Sequence, residues 1–139
     1  MKVVPYLSFE GNCEEALEFY RNAFGGELDI SRYAGSPMEE NVSDDMKNKV
    51  LHGRLSIGDL LIMASDLGPE HKPDIGNNIQ LNVECSTEDE QTKCFEKLSE
   101  GGTAVMPLED QFWGARFGMV TDKFGVNWML NLYKSDQRS

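Results

Sequence analysis

The sequence predicts an α+β fold made of two copies of a strand–helix–three-strand (βαβββ) module within one domain, residues 1–139. Two observations carry this prediction. Each half ends a predicted helix with paired glycines, Gly25-Gly26 and Gly101-Gly102, and each turns its last hairpin after an apolar residue and a glycine, Ile57-Gly58 and Phe124-Gly125. Self-similarity of this kind indicates one supersecondary unit per half, whose sheet needs its neighbour. Two such modules predict a cup-shaped, eight-stranded mixed sheet with the helices outside.

The first predicted module covers about residues 1–66. Its helix begins at Asn12, which can form a capping box with Glu15 three positions later, and it ends at the paired glycines. The segment Ala34–Asn48 is rich in acidic residues and is predicted to be a long polar loop. Four strands are predicted at Val3–Phe9, Glu27–Tyr33, Val50–Ile57 and Leu60–Ser65.

The second predicted module covers about residues 77–134, after a connector of about residues 67–76 that is rich in proline and glycine. Its helix begins with a capping box formed by Thr87 and Glu90. A loop is predicted at Leu108–Gly114, before the last hairpin. Four strands are predicted at Asn78–Glu84, Thr103–Pro107, Arg116–Thr121 and Val126–Leu132.

Composition excludes several classes of protein. The 139 residues are 40% hydrophobic and 27% charged, without an apolar run near the ~18 residues of a membrane span. A formal net charge of −11 argues against a nucleic-acid partner, because phosphate binding needs clustered lysine and arginine. No signal-peptide pattern is visible, so we expect a cytoplasmic location. Cys13, Cys85 and Cys94 lack metal-site spacing and are predicted to be buried, reduced thiols.

Strand alternation predicts the face on which a small molecule would bind. Positions that alternate with the apolar core include several uncharged amides, which can both donate and accept hydrogen bonds. His52 is a candidate general base. Arg116, near the matching place in the second module, is a candidate anion clamp, since guanidinium suits carboxylate or phosphonate. The candidate ligand-binding residues are Tyr6, Ser8, Asn78, Gln80, Asn82, Trp113, Asn127, Met129 and Asn131.

Other interpretations of the same residues stay open. The polar strand faces are also what half-solvated strands present to water. His52 can equally be an ordinary strand histidine, and Arg116 can form a surface or inter-subunit ion pair. Trp113, with Phe112 beside it in a loop, is typical either of a lid over a site or of a dimer contact.

Three segments carry a family resemblance. They are Pro5-Tyr6-Leu7-Ser8-Phe9, His52-Gly53-Arg54-Leu55-Ser56-Ile57-Gly58-Asp59 and Asp110-Gln111-Phe112-Trp113-Gly114. With the duplicated modules, these resemble the vicinal oxygen chelate superfamily, which includes glyoxalase I, extradiol dioxygenases and bleomycin-resistance proteins. The likeness is closest to the phosphonate-operon-associated, PhnB-like subfamily, often labelled 3-demethylubiquinone methyltransferase-like. It covers essentially the whole chain and implies a glyoxalase-like fold and a homodimer.

The resemblance also implies where a divalent metal would bind, because enzymes of the superfamily hold one with two positions from each module. In this sequence those positions read Pro5, Ile62 or Met63, Asn78 and Met129. None is a histidine or a carboxylate, so we expect neither the family's metal nor another cofactor. A divalent metal held elsewhere, through His52 and a loop acid, is the alternative.

Three functions remain open from the sequence. The first is a metal-independent protein that binds a small, polar or anionic molecule, as the resistance proteins sequester theirs. The second is an enzyme of lyase, isomerase or transferase type, acting on a small oxygenated substrate with His52 and Arg116. The third is a dimeric structural module. Methyl transfer is not expected, because no glycine-rich turn joins a parallel strand to a helix with a downstream acid for the cofactor's ribose.

Overall fold

The computed structural model describes residues 1–68 and 70–134. The chain divides into two compact units, Met1–Asp74 and Ile75–Ser139. The division falls within the predicted connector, whose Pro69 lies outside the described residues. In the described part of the chain, every helix is too short or too polar to cross a membrane.

The first unit has the predicted order of one strand, one helix and three strands. Its elements are β1 (Tyr6–Phe9), α1 (Cys13–Phe24), β2 (Glu27–Arg32), a short helix α2 (Asp44–Lys47), β3 (Val50–Ile57) and β4 (Leu60–Asp66). The strand order in the sheet is β1-β4-β3-β2. Strand β1 is parallel to β4, whereas the other neighbours are antiparallel, so the sheet is mixed.

Helix α1 packs on one face of this sheet through an apolar stripe. Ala16, Leu17 and Tyr20 repeat at helical spacing, and all three are fully buried. The helix comes so close to β3 that a Cβ atom added at Gly53 would collide with Leu17 Cδ1. Gly53 therefore marks the face of the sheet that the helix covers.

The start of α1 differs from the sequence prediction. Asn12 is the N-cap residue, but its side chain makes no capping hydrogen bond. The carboxylate Oδ1 of Asp66 instead accepts hydrogen bonds from the amides of Gly11 and Cys13, at 2.8 and 2.9 Å. Asp66 Oδ2 accepts from the amide of Val50 at 2.9 Å. The predicted Asn12 cap is wrong because a carboxylate at the end of β4 takes that role.

The segment predicted as a long polar loop is partly helical. It contains a 3-10 turn at Glu39–Asn41 as well as α2. Met46 of α2 is 8% exposed, and Lys47 forms an ion pair with Asp44 at 3.0 Å. One buried methionine among acidic residues produces no helical periodicity, so the sequence pattern could not indicate this short helix.

The second unit repeats the order of the first. Its elements are β5 (Leu81–Glu84), α3 (Glu88–Ser99), β6 (Thr103–Asp110), β7 (Ala115–Thr121) and β8 (Asn127–Tyr133). The strand order is β5-β8-β7-β6, with β5 parallel to β8. The predicted α+β class with two βαβββ modules is confirmed, and the eight strands lie in two four-stranded mixed sheets.

Helix α3 begins as predicted. The amide of Glu90 donates to Thr87 Oγ1 at 3.1 Å, and the amide of Ser86 donates to Glu90 Oε1 at 2.9 Å. The Thr87 side chain therefore caps α3 as predicted, whereas Glu90 accepts from Ser86, the residue before the N-cap, and not from Thr87 as in the predicted capping box. On the covered face of the sheet, a Cβ atom at Gly118 would lie 2.8 Å from Cε2 of Phe95 in α3. Gly118 therefore has in the second unit the place that Gly53 has in the first.

Two strand boundaries of the second unit differ from the prediction. Strand β5 begins at Leu81, later than the predicted start at Asn78, and Ile79 is 71% exposed. Strand β6 continues to Asp110, past the predicted end at Pro107. Because β6 is an edge strand, its outer side needs no backbone donor, and a proline is tolerated there.

Candidate functional site

The face of the first sheet opposite α1, called here the first open face, is its polar side. Residues opposite each other on neighbouring strands share a face, and successive residues alternate between faces. Leu7, Ala64 and Gly53 are opposite one another and lie on the covered face. Their neighbours Tyr6 and Arg54 therefore lie on the first open face.

A row of hydroxyl side chains crosses the first open face around His52. Ser8 of β1 lies opposite Ser65 of β4, and Ser31 of β2 lies opposite His52 of β3. Ala64, which precedes Ser65 on β4, lies opposite Gly53, which follows His52 on β3. Each serine hydroxyl can donate one hydrogen bond and accept two, so the row suits a polar ligand.

Tyr6 and His52 form a hydrogen-bonded pair on this face. The Tyr6 hydroxyl lies 3.1 Å from His52 Nδ1, and the two ring centroids are 5.8 Å apart. Tyr6 is 48% exposed. When Nδ1–H donates to the phenol oxygen, Nε2 is left as an acceptor; when the phenol donates, Nε2 carries the proton and becomes a donor. The structure thus brings together two of the predicted site residues.

Arg54, which was not predicted to be a site residue, is a cation on the same strand as His52. It lies two residues from His52 and opposite Met63, which in turn lies opposite Tyr6. Arg54 is exposed, and its guanidinium forms no ion pair with the residues in 1–68 and 70–134, although Asp29 of β2 lies opposite it. Arg54 alternates with the apolar Leu55 along β3, and this pattern could have identified Arg54 as a residue of the polar face.

The predicted amides lie on the corresponding face of the second sheet, opposite α3, called here the second open face. Asn82 lies opposite Met129, and Asn131 lies two residues further along β8. Asn131 Nδ2 donates to Asn82 Oδ1, and Thr121 Oγ1 donates to Asn127 Oδ1 at 2.8 Å. Three of the predicted amides are therefore already bonded within this face, and they form a partly satisfied polar surface.

Two further predicted amides precede the strand. Asn78 and Gln80 lie before β5, so strand alternation does not assign them to a face. Gln80 Nε2 donates to the carbonyl of Asn77 at 2.9 Å. Asn78 is exposed. Their predicted role as ligand contacts remains a prediction.

Arg116 lies on the covered side of the second sheet. Its guanidinium donates to Gln91 Oε1 at 3.0 Å and to Thr92 Oγ1 at 3.1 Å, both on α3. Arg116 is two residues from Gly118 on β7, so the two share a face. His52, by contrast, is adjacent to Gly53 and faces away from the helix. The predicted equivalence of Arg116 and His52 is therefore not seen. Gly53 is adjacent to His52, whereas Gly118 is two residues from Arg116, and this difference in spacing could have shown that the two side chains lie on opposite faces of their sheets.

The loop between β6 and β7 presents two aromatic rings. Phe112 is 97% exposed and Trp113 is 41% exposed. The Trp113 ring packs edge-on against Phe117 of β7, with centroids 5.7 Å apart and planes at 66°. Phe117 lies opposite Asn131 and Glu109, so it belongs to the second open face. Trp113 was predicted to be a ligand-binding residue, and Phe117 was not.

Three methionines form a row beside Phe117. Met106 of β6 lies opposite Met119 of β7, and Met119 lies opposite Met129 of β8. Met106 is 38% exposed, and the other two are half-buried. Met129 was predicted to be a ligand contact, whereas Met106 and Met119 were not, and all three line this open face.

None of the three cysteines has the environment of a reactive nucleophile. Burial, with Asp66 and Glu14 adding to it, raises the pKa of the Cys13 thiol to about 12. Burial chiefly raises the pKa of Cys85 to about 12 as well, and that of Cys94 in the same direction. Because the thiolate is the reactive form, these thiols are expected to be unreactive in the fold.

The residues at the superfamily's metal positions do not fit a divalent cation. In the first unit, the carbonyl of Pro5 is bonded to the amide of Met63 at 3.1 Å, and neither side chain offers nitrogen or oxygen. In the second unit, the positions are an exposed asparagine and a thioether, Asn78 and Met129. Among residues 1–68 and 70–134, no group of three histidine, cysteine or acidic side chains is placed to hold a metal ion.

The chain matches a known family along most of its length. A family model described as 3-demethylubiquinone-9 3-methyltransferase matches residues 1–131. The chain belongs to this family. Protein YjdN of Escherichia coli (strain K12), a relative of this chain, is 32% identical to it over 96% of this chain and 97% of YjdN.

Solved structures of similar proteins agree with this assignment. The crystal structure of protein PA1353 from Pseudomonas aeruginosa has a TM-score of 0.85 and 38% identity, covering 97% of this chain and 99% of PA1353. A protein from Bacillus cereus described as a putative 3-demethylubiquinone-9 3-methyltransferase, PhnB protein, has a TM-score of 0.76 and 31% identity, covering 95% and 99%.

The fold is also shared more widely. A glyoxalase-related enzyme from Fulvimarina pelagi has a TM-score of 0.63 at 14% identity, a likeness of fold alone that covers 95% of this chain and 88% of the enzyme. The predicted glyoxalase-like fold is confirmed, as is the resemblance to the vicinal oxygen chelate superfamily and its PhnB-like subfamily.

Proposed function

We propose that this member of the family binds a small anionic molecule on its first open face. The observation that carries the proposal is the Tyr6–His52 pair, joined at 3.1 Å and set in the row of serine hydroxyls. A histidine, a phenol and several hydroxyls on one face supply donors from side chains that are held by a rigid sheet. Ligand sites built on strands are more precisely positioned than sites on loops.

The charge of the preferred ligand follows from Arg54. A guanidinium without an ion-pair partner among the described residues attracts carboxylate or phosphate groups, and it can bind them through two parallel hydrogen bonds. Asp29 lies opposite Arg54 on the edge strand β2, and its carboxylate reduces the net positive charge of this region. The site therefore favours a compact group with one or two negative charges over an extended polyanion.

The methyltransferase description of the family does not lead us to propose methyl transfer. Nucleotide-type cofactors are commonly held by free backbone amides where a strand passes into a helix. At that position in the first unit, the amides of Gly11 and Cys13 already donate to Asp66. In the second unit, the amide of Glu90 donates to Thr87 Oγ1, and the amide of Ser86 donates to Glu90 Oε1. At both helix starts, these amides are therefore bonded to the protein's own side chains.

An enzyme that uses His52 as a general base is the second candidate. The specific observation in its favour is the same contact, because Tyr6 fixes the orientation of the imidazole and one tautomer leaves Nε2 free to accept a proton. This candidate no longer includes Arg116, since the guanidinium is bonded to α3. The enzyme candidate and simple binding differ in one expected result. If His52 is a general base, His52→Gln should abolish turnover while weakening ligand binding only partly.

Titration of ¹⁵N-labelled protein with inorganic phosphate, and separately with acetate, tests the binding proposal. We expect saturable shifts of the backbone amides of Tyr6, His52 and Arg54. Tyr6→Phe and Arg54→Gln are each expected to weaken binding by about tenfold, the value of one lost hydrogen bond to a charged group.

Arg21→Gln is the matched control, because Arg21 is an exposed arginine on α1 that pairs with Glu18 at 2.8 Å. It removes the same charge from a different surface, so binding should be unchanged. Absence of any saturable shift in the wild type would overturn the proposal. Equal weakening by Arg21→Gln and Arg54→Gln would do the same, since it would indicate attraction by net charge alone.

A further inference from the structure

A group of five side chains on the second open face forms an apolar surface with an acidic border. Phe117 lies opposite Glu109, and Met119 lies opposite Met106. Trp113 packs against Phe117 at 5.7 Å. These five residues, Trp113, Phe117, Met106, Met119 and Glu109, are called here the aromatic–methionine patch. All of them belong to β6, β7 or the loop between these strands.

The patch combines rigid and adaptable apolar groups that solvent reaches. Trp113 is 41% exposed and Met106 is 38% exposed, whereas Phe117 is 6% exposed and forms the base against which Trp113 rests. Aromatic rings offer flat faces to other rings, and methionine side chains adjust their shape and make favourable sulfur–aromatic contacts. This combination suits a flat, unsaturated molecule better than it suits a branched or fully polar one.

The charged residues around the patch determine which sign of charge a bound molecule should carry. Glu109 is next to Phe117, and Glu84 lies in the same row across the sheet, opposite Asn131. The basic residues nearby are directed elsewhere: Arg116 is bonded to α3, and Lys134 forms an ion pair with Asp110 at 2.5 Å. The net charge of −11 adds a general attraction for cations.

We propose that the aromatic–methionine patch binds a planar aromatic cation. The ligand's ring system lies against Trp113 and the methionines, and its positive charge is stabilised by the aromatic ring and by Glu109. The inference is independent of the anion site on the first open face, because it concerns different residues, a different unit of the chain and the opposite charge. Failure of either proposal leaves the other untouched.

Two fused three-ring probes of similar size test the proposal. Proflavine is a planar cation near neutral pH, and anthracene-9-carboxylate is a planar anion; both are followed by their own fluorescence. We expect saturable binding of proflavine and at least about tenfold weaker binding of the anion, because the patch attracts one charge and repels the other.

Substitutions locate the binding. Trp113→Leu is expected to weaken proflavine binding about tenfold, and Glu109→Gln about two- to fivefold with a smaller dependence on salt. Trp113→Phe, which retains a ring, should keep most of the affinity and serves where the leucine variant folds poorly. Glu96→Gln, an exposed carboxylate on α3, is the matched charge control and should have no effect.

Three outcomes would overturn the proposal. One is equal affinity for the two probes. Another is a Glu96→Gln effect as large as that of Glu109→Gln, which would indicate adsorption of a cation to an acidic protein. The third is unchanged proflavine binding in a folded Trp113→Leu variant.

Discussion

The carboxylate of Asp66 at the end of β4 accepts a hydrogen bond from the amide of Cys13, the first residue of α1, at 2.9 Å. The same side chain accepts from Gly11 and Val50, and the hydroxyl of Tyr33 donates to the Asp66 carbonyl at 2.9 Å. Asp66 is 1% exposed, and all of its bonds join segments that are distant in sequence. One buried carboxylate therefore fastens the helix to the sheet that carries the candidate site.

Replacement of Asp66 is expected to destabilise the protein strongly. Asp66→Ala leaves the amides of Gly11, Cys13 and Val50 without their acceptor, which predicts a loss of about 3 kcal/mol or more in the free energy of unfolding. Urea denaturation measures it. Asp59→Asn, at an exposed carboxylate in the β3–β4 turn, should change stability by less than about 0.5 kcal/mol. A similar small effect at Asp66 would show that the three amides find other partners.

Gly53→Ala is expected to separate α1 from its sheet, because the added Cβ meets Leu17 of the helix. Overpacking of this kind costs about 1–3 kcal/mol. Gly68→Ala is the matched control, since a Cβ at Gly68 meets no atom within 4 Å. Thermal unfolding should show a lower Tm for Gly53→Ala alone. Equal Tm values for the two variants would mean that the helix shifts without cost.

The raised pKa of the Cys13 thiol predicts that the folded protein loses stability in alkaline solution. Its pKa in the folded protein is raised from 9.0 to about 12. The folded state therefore favours the neutral thiol, and this stabilisation is complete below the unfolded pKa and is lost as the pH rises from 9.0 towards about 12. The urea midpoint should fall between about pH 8 and pH 10.5 less steeply for Cys13→Ala than for the wild type. Parallel profiles would contradict this cause.

Arg116 is expected to contribute to structure and not to anion binding. Its guanidinium donates to Gln91, Thr92 and the carbonyl of Glu88. Arg116→Met, which keeps much of the apolar stem, should lower the free energy of unfolding by about 1–2 kcal/mol and leave phosphate binding unchanged. Calorimetric titration with phosphate, beside urea denaturation, separates the two effects. Loss of phosphate binding at full stability would reinstate Arg116 as an anion clamp.

The sequence predicted the element order because the duplicated glycine pairs and apolar alternation are local signals. It placed Tyr6, Ser8 and His52 on one face correctly for the same reason. The hydrogen bond between Tyr6 and His52 required the register of two strands that are not neighbours in the chain. No local pattern encodes that register.

The predictions that were wrong or incomplete failed because they depended on contacts between segments distant in the sequence. Asn12 has the residue type and position of a helix cap, but Asp66 competes for the same amides from far along the chain. Arg116 was matched to His52 by its order in the module, whereas the position of each residue relative to Gly118 or Gly53 decides the face. Strand alternation selected Met129, but Met106, Met119 and Phe117 join it only through pairing across three strands, which residue type alone does not indicate.

The two histidines of the chain provide the most direct test of the anion site. The ring nitrogens of ¹⁵N-labelled histidine are followed during titration with phosphate at constant pH and ionic strength. His52 lies on the first open face, and His71 is an exposed residue after β4, so His71 is an internal control in the same sample. The account predicts saturable shifts of the His52 nitrogens, weakened by Arg54→Gln, with His71 unchanged. Equal responses of the two rings, or no response of His52, would contradict it.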